Sequence, residues 1–375
     1  MRITIAQGAF LPVPPKRGGA IEKAFHALAK EFASEGHTVN YISRLCDGLP
    51  TKQTESINLR HKRIKGYDAP KSVLMLKWLD LLYSIRILRN LPDADILVTH
   101  TFWLPILVRS TKYGKLYVHV GRAPKGQMKL YRHAARLQTV SSPIARNIQH
   151  ELSDADGELS KVLPYPLDPA FLQSVDLQKK RPSTLLFTGR IHPEKGLDLL
   201  IKAFTSLPSR IKDKWKLRIV GPWKKEHGGA GPEYLNSLKA SGAEAAIQFV
   251  EPIFNQQQLI AEYDNACVFA YPSLAEKGET FGLSALEAMS RGCLTLVSDL
   301  ECFKDFVSHG ENGFVFCHRT ANPAHTLAKY LIRLLESPKK HGNVAVKAVA
   351  KAQSYSPASV AKSFLEDFHK LTSNP

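Results

Sequence analysis

The chain has 375 residues, 44% of them hydrophobic and 23% charged, which excludes a disordered or fibrous protein and predicts two domains of roughly 150 to 200 residues each. Five cysteines, Cys46, Cys267, Cys293, Cys302 and Cys317, form no C-x-x-C pair, so neither a disulfide framework nor a zinc module is expected and a reducing compartment fits. The formal net charge of +17 is concentrated between Arg60 and Arg146, where 17 Lys and Arg face 4 Asp and Glu; such a field attracts nucleic acid, anionic lipid or phosphorylated substrate without choosing among them.

In chain order, the opening MRITIAQGAF alternates apolar residues and then meets Pro12, Pro14 and Pro15. It lacks the long apolar core of a signal peptide and reads as a first strand, RITIA at 2 to 6. A helix near 19 to 35 follows, then strands HTVNYIS (37 to 43), DILVTH (95 to 100), KLYVHV (115 to 120) and LQTVSS (137 to 142). Between them KSVLMLKWLDLLYSIRILRN, residues 71 to 90, is a basic amphipathic stretch with Trp78 among leucines. It fits a core helix with a solvated rim or a helix lying in a membrane interface, and the surrounding positive charge favours the membrane. No run approaches the 18 or so uncharged residues a spanning helix needs. After LPYPLDPAF and QKKRP the rhythm restarts with TLLFTG (184 to 189), KLRIVG (216 to 221), IQFV (247 to 250), CVFAYPS (267 to 273), LTLVSD (294 to 299) and GFVF (313 to 316). This β-α-β rhythm predicts two α/β domains with doubly wound parallel sheets, residues 1–168 and 183–356, with a final helix in 357–375 placed to cross back onto the first.

Ligands of open parallel sheets sit beyond the carboxyl ends of strands, where helix N-termini suit anions. Three segments satisfy this: GRIHPEKG after TLLFTG, the loop from Pro272 to Gly282 after CVFAY, and Ser298-Asp299 after LTLV. The glycine-rich GPWKKEHGGAGP at 221 to 232 follows a strand as well and reads equally as a site-shaping loop or a surface turn. Arg190 and Lys195 share one loop, where two fixed cations can neutralise a diphosphate or simply form a solvated basic loop. Glu279 precedes the helix beginning near Ser284 and Glu287 lies inside it. Along a helical path they stand about 12 Å apart, too far for the carboxylate pair of a retaining hydrolase and suited to a longer, hydroxyl-rich ligand. Taken singly, Glu279 reads as an acid at a helix N-terminus and Glu287 as an exposed helix acid.

GRIHPEKGLDLLIKAF together with YPSLAEKGETFGLSALEAMSRG resembles the signature of the family 4 retaining glycosyltransferases, and PPKRGGAIEKAFHALAKEFASEGHTV resembles the glycine loop and first helix of that family. The resemblance implies the GT-B fold, two Rossmann-like domains facing each other across a cleft, the first on the acceptor side and the second binding a nucleotide diphosphate sugar. It implies that Glu279 contacts donor-sugar hydroxyls, that Glu287 holds the ribose and that Arg190 and Lys195 stabilise the diphosphate. The backbone at Phe281, Gly282 and Leu283 would complete the cradle, and Gly18 and Gly19 would line the cleft from the other domain. His119, at the end of KLYVHV, would stand near the donor sugar in preference to His100, a satisfied core histidine being the competing reading for both. Tyr165-Pro166-Leu167-Asp168, Leu294 and the inserted Lys277-Gly278 depart from the family pattern.

No cofactor or metal is expected, since the family needs none and the triplets Asp93-x-Asp95 and Asp154-x-Asp156 lie at a strand's amino end and in a polar turn. The expected activity is retaining, metal-independent transfer of a hexose from a UDP- or GDP-sugar, UDP favoured, to a saccharide or lipid-linked saccharide in cell-surface polysaccharide or lipopolysaccharide synthesis. The expected location is the cytoplasm, peripherally on the anionic inner membrane face through the basic N-terminal domain, without nucleic acid. A nucleotide-sugar epimerase of similar architecture and, on charge alone, a nucleic-acid-binding protein are the alternatives.

Overall fold

The computed structural model describes residues 1–15, 19–153, 157–243 and 245–373. The chain divides into two compact units: Met1–Asp168 with Tyr355–Pro375, and Pro169–Ser354. Pro169–Pro182, which the sequence marks as the approach to a second domain, belongs to the second unit: Arg291 donates to the Gln173 carbonyl at 2.8 Å, and the Phe171 and Tyr263 rings meet edge to face.

The first unit contains eight strands: β1 (Arg2–Ala6), β2 (Thr38–Arg44), β3 (Lys52–Ser56), β4 (Leu59–Ile64), β5 (Ile96–Thr99), β6 (Lys115–Val120), β7 (Arg136–Thr139) and β8 (Ser160–Val162). They run in the order β3-β4-β2-β1-β5-β6-β7-β8, parallel throughout except for the β3–β4 hairpin. Ile3, Ile5, Val39, Ile96, Leu97 and Val98 are fully buried, as expected of strands covered on both faces. Helix Ala20–Ser34 buries Ala24, Phe25, Leu28, Ala29 and Phe32, a stripe at helical spacing, and Gly36 in the left-handed region follows its end. Helix Pro357–Ser373 packs beside it, with the Phe32 and Phe368 ring centroids 5.6 Å apart.

The hairpin and β8 are absent from the sequence expectation. KQTES carries no apolar alternation, and β4 turns Leu59, His61 and Arg63 inward, so that two of its three buried residues are polar or charged. Arg63 is nonetheless satisfied, donating to the carbonyls of Val13 and Pro50 and to Gln53 Oε1 at 2.8–3.1 Å.

The second unit's strands are β9 (Thr184–Thr188), β10 (Lys216–Val220), β11 (Ile247–Val250), β12 (Val268–Tyr271), β13 (Leu294–Ser298) and β14 (Phe314–Phe316), all parallel in the order β11-β10-β9-β12-β13-β14. This is the doubly wound Rossmann order. The chain reverses its direction of progress between β9 and β12, the switch point at which ligands bind in such sheets.

Candidate functional site

The loops leaving β9 and β12 are fastened together. After Thr188 the chain runs through Gly189 and Arg190 to a short 3-10 turn, Pro193–Lys195, and into helix Leu197–Thr205 through Gly196 in the left-handed region. A side chain at Gly196 would place its Cβ 2.0 Å from the Pro272 carbonyl oxygen, so the close approach of the two loops requires glycine. The Glu194 carbonyl accepts from Leu274 N at 2.8 Å and Ser273 Oγ at 3.3 Å, and Ser298 Oγ beyond β13 donates to the Ser273 carbonyl at 2.6 Å.

This fastening brings Lys195 and Glu279 together. Lys195 Nζ donates to Glu279 Oε2 at 2.7 Å, both side chains are more than nine-tenths buried, and the ammonium lies 5.5 Å from the Tyr271 ring centroid. The Tyr271 phenol hydrogen-bonds Glu279, and its pKa is raised well above the ordinary value by burial and by that carboxylate. Arg190 is turned toward the neighbouring loop: its guanidinium donates to Glu194 Oε1 at 2.6 Å and to the Gly228 carbonyl at 2.8 Å. The glycine-rich segment 221 to 232 therefore serves to hold Arg190.

Glu287 sits in a second cluster on the same sheet edge. The Tyr263 hydroxyl donates to Glu287 Oε2 at 2.8 Å and lies 2.6 Å from Thr188 Oγ1. Burial first, and then the Glu287 charge, raises the Tyr263 pKa well above its ordinary value. Helix Leu283–Ser290 starts at Gly282, whose φ of 83° is left-handed and whose Cβ would meet the Phe303 ring at 2.3 Å. The missing side chain thus makes room for an aromatic ring as well as for the sharp turn. The Phe281 side chain is buried against Phe306, and Leu283 is half-buried.

Asp299, the third sequence candidate, belongs to a charged network. His318 bonds Asp299 through Nδ1 and Glu276 Oε1 through Nε2, and Arg319 reaches both acids at 2.8 Å. Glu276 lies three residues before Glu279, so this network holds the loop that carries it.

In the first unit, Gly19 precedes helix Ala20–Ser34 with φ 100°, and its Cβ would stand 2.1 Å from Glu22 Oε2. Gly18 lies outside the described residues, as do Asp154 and Asp156. The buried Glu22 accepts from Gln7 Nε2 at 3.1 Å, and burial raises its pKa. His119 has both ring nitrogens engaged, Nδ1 with Gln138 Oε1 at 2.6 Å and Nε2 with the Tyr165 hydroxyl at 3.1 Å, and burial lowers its pKa to about 4. It is a neutral, satisfied histidine of the interior in this state. His100 Nε2, by contrast, is buried with no hydrogen-bond partner.

The sequence reading did not single out Tyr263, Tyr271, Thr188, Glu194 or Glu22. Tyr271 could have been found as the last residue of its strand; Tyr263, inside helix Gln256–Asp264, gives no comparable signal.

The sequence and the fold have counterparts in known proteins. Residues 171–351 match the sequence model of the family described as glycosyl transferases group 1. The D-inositol 3-phosphate glycosyltransferase of Corynebacterium aurimucosum is 30% identical over 176 residues, 47% of this chain and 40% of that protein, so the chain spans under half the length of that relative. Sucrose-phosphate synthase from Thermosynechococcus elongatus shares the fold over the whole of both chains with a TM-score of 0.78 at 16% identity. HepE from Anabaena, solved in complex with UDP, shares it over 99% of this chain and 100% of its own with a TM-score of 0.71 at 16% identity. The fold is GT-B, with two Rossmann-like units, and every residue of the Lys195–Glu279 and Tyr263–Glu287 clusters falls inside the matched residues 171–351.

Proposed function

We propose that the protein transfers a hexose from a nucleotide diphosphate sugar, UDP in preference to GDP, to a hydroxyl of a saccharide or lipid-linked saccharide, with retention of anomeric configuration. The observation that carries this reading is the buried 2.7 Å contact between Lys195 and Glu279, from loops that follow β9 and β12 at the switch point of the second unit. Lys195 and Arg190 neutralise the diphosphate as it leaves, together with the N–H groups at the start of helix Leu283–Ser290, and no divalent ion is required. Glu279 receives donor-sugar hydroxyls and Glu287 the ribose, each orienting its ligand through a carboxylate already held by a tyrosine. Phe281, Gly282 and Leu283 supply backbone to the cradle.

The first unit is assigned to the acceptor; of its residues, Gly18 and Gly19 are assigned to donor binding and His119 to the donor sugar. Peripheral membrane association is part of this reading and is supported by helix Val73–Leu88, whose first turns expose Val73 by 69%, Leu74 by 81% and Trp78 by 57%, beside Lys71 and Lys77. No described helix is long and apolar enough to cross a membrane, so the contact proposed is interfacial, at the inner face and with the acceptor of surface-polysaccharide or lipopolysaccharide synthesis.

The test is a screen of UDP- and GDP-sugars for thermal stabilisation and for transfer, with added Mg2+ or Mn2+ leaving the rate unchanged. Lys195→Ala and Glu279→Ala should each lower kcat at least 100-fold with the donor the wild type selects. Full transfer by either variant would overturn the assignment, and an isomerised donor with no new glycosidic bond would replace transfer by epimerisation.

A further inference from the structure

We propose that His26, Glu55 and His61 bind one zinc-type divalent cation, in the first unit and apart from the donor residues. Three elements supply the ligands: helix Ala20–Ser34, the edge strand β3 and the inward face of β4. Nε2 of His26 and Nε2 of His61 both reach Glu55 Oε2, at 2.9 and 2.7 Å, and the three atoms lie within 4.8 Å of one another. The aim of Glu55 is a feature of the backbone. Thr54 pairs with Arg60 and Ser56 with Leu59, so Glu55 is the extra residue of a β-bulge, the device that re-aims a side chain on an edge strand.

Two imidazoles and one carboxylate form a donor set that suits zinc better than calcium or magnesium, which take oxygen ligands. Zinc bonds of about 2.0 to 2.2 Å set tetrahedral ligand atoms about 3.3 Å apart, so the cluster admits an ion by opening roughly half an ångström. The His61 side chain is fully buried and the Glu55 side chain is 22% exposed, which leaves the remaining coordination position to water on the solvent side. Lys30 Nζ holds the other carboxylate oxygen at 2.9 Å, and with its side chain 53% exposed it can turn into water. His61 Nδ1 is buried without a hydrogen-bond partner. A histidine ligand without an outer partner holds a metal about 10- to 100-fold more weakly. A bound ion would pin the β3–β4 hairpin to the first helix.

The experiment uses the full chain, stripped with a chelator and titrated with Co2+ and then Zn2+. Expected are one Co2+ per chain with visible bands of tetrahedral type and no thiolate charge-transfer band, displacement by Zn2+, and a higher melting temperature with Zn2+. Glu55→Gln, in which both histidines can still donate to an amide oxygen, should bind at least tenfold more weakly, and Lys30→Ala, which removes a neighbouring cation, several-fold more tightly. Absence of a tetrahedral Co2+ spectrum in the folded wild type, or equal Zn2+ affinity in the wild type and Glu55→Gln, would overturn the proposal. Sugar transfer is not a readout, so failure here leaves the donor-site reading standing.

Discussion

Tyr263 holds Glu287: a fully buried phenol on helix Gln256–Asp264 donates to a half-buried carboxylate on the next helix at 2.8 Å, while Thr188 Oγ1 at the end of β9 lies 2.6 Å from the Tyr263 hydroxyl. Tyr263→Phe keeps the ring and removes the tether. The expected result is a several-fold rise in donor KM with kcat changed less, and a loss of about 1 to 2 kcal/mol of stability read from urea unfolding. An unchanged KM would show that the position of Glu287 does not depend on this bond.

Gly196 is required by the fastening of two loops. Gly196→Ala puts a methyl group 2.0 Å from the Pro272 oxygen at a φ of 70°, so the turn and the neighbouring loop must separate. A loss of roughly 2 kcal/mol or more is expected, with donor-induced thermal stabilisation reduced or abolished.

The α/β class, the parallel sheets and the GT-B fold were legible in the sequence, for identifiable reasons. Buried parallel strands are continuous apolar runs, and TLLFT, VFAY and LTLVS read as nothing else. That GRIHPEKG and the segment containing Glu279 each follow a strand of the second unit was legible from the β-α-β rhythm; that these strands are neighbours was not. Nor was the contact of Lys195 with Glu279 in the free protein, since it depends on a left-handed glycine and two carbonyl contacts that spacing does not encode. Arg190 was placed in the right loop, but its tie to Gly228 depends on a turn whose shape the glycines left open. The β3–β4 hairpin stayed hidden because two of the three core-facing positions of β4 are filled by His61 and Arg63, whose partners Glu55, Val13, Pro50 and Gln53 the spacing does not reveal.

Asp367 receives Arg136 in a two-pronged contact, Nη2 at 2.8 Å and Nε at 3.0 Å, and the Tyr117 hydroxyl at 2.9 Å, all buried. Asp367→Ala leaves the guanidinium uncompensated and should lower stability by about 3 to 5 kcal/mol. The double variant Arg136→Met with Asp367→Leu should recover most of that loss, and calorimetry on the four proteins of the cycle measures the coupling.

In mild acid the buried histidines His100 and His119 should weaken the first unit, offset in part by Asp80, whose carboxyl pKa burial raises to about 6. Burial lowers the pKa of His119 to about 4 and that of His100 well below its ordinary value, so the unfolded chain binds more protons than the folded one below about pH 6.5. The stabilisation from keeping these rings neutral is complete above that pH. It declines as the pH falls toward the folded values, by roughly 1.4 kcal/mol per unit for each histidine. Urea midpoints at pH 7, 6 and 5 should fall accordingly, and His119→Gln should flatten the slope.

The exposed first turns of helix Val73–Leu88 predict sedimentation with vesicles containing anionic lipid and not with neutral ones, weakened by salt. Leu74→Glu with Trp78→Ala should release the protein while leaving its melting temperature within about 1 °C, because neither side chain is buried. Retention of the double variant on vesicles would place the contact elsewhere.

Because helix Pro357–Ser373 completes the first unit, that unit is discontinuous in sequence, and its synthesis ends after the second unit's. On the ribosome, the region up to Asp168 emerges with Arg136 still awaiting its acid and the Phe32 ring lacking its neighbour Phe368. The nascent amino-terminal half must therefore stay unfinished and protected from aggregation until residues 357–373 have been made.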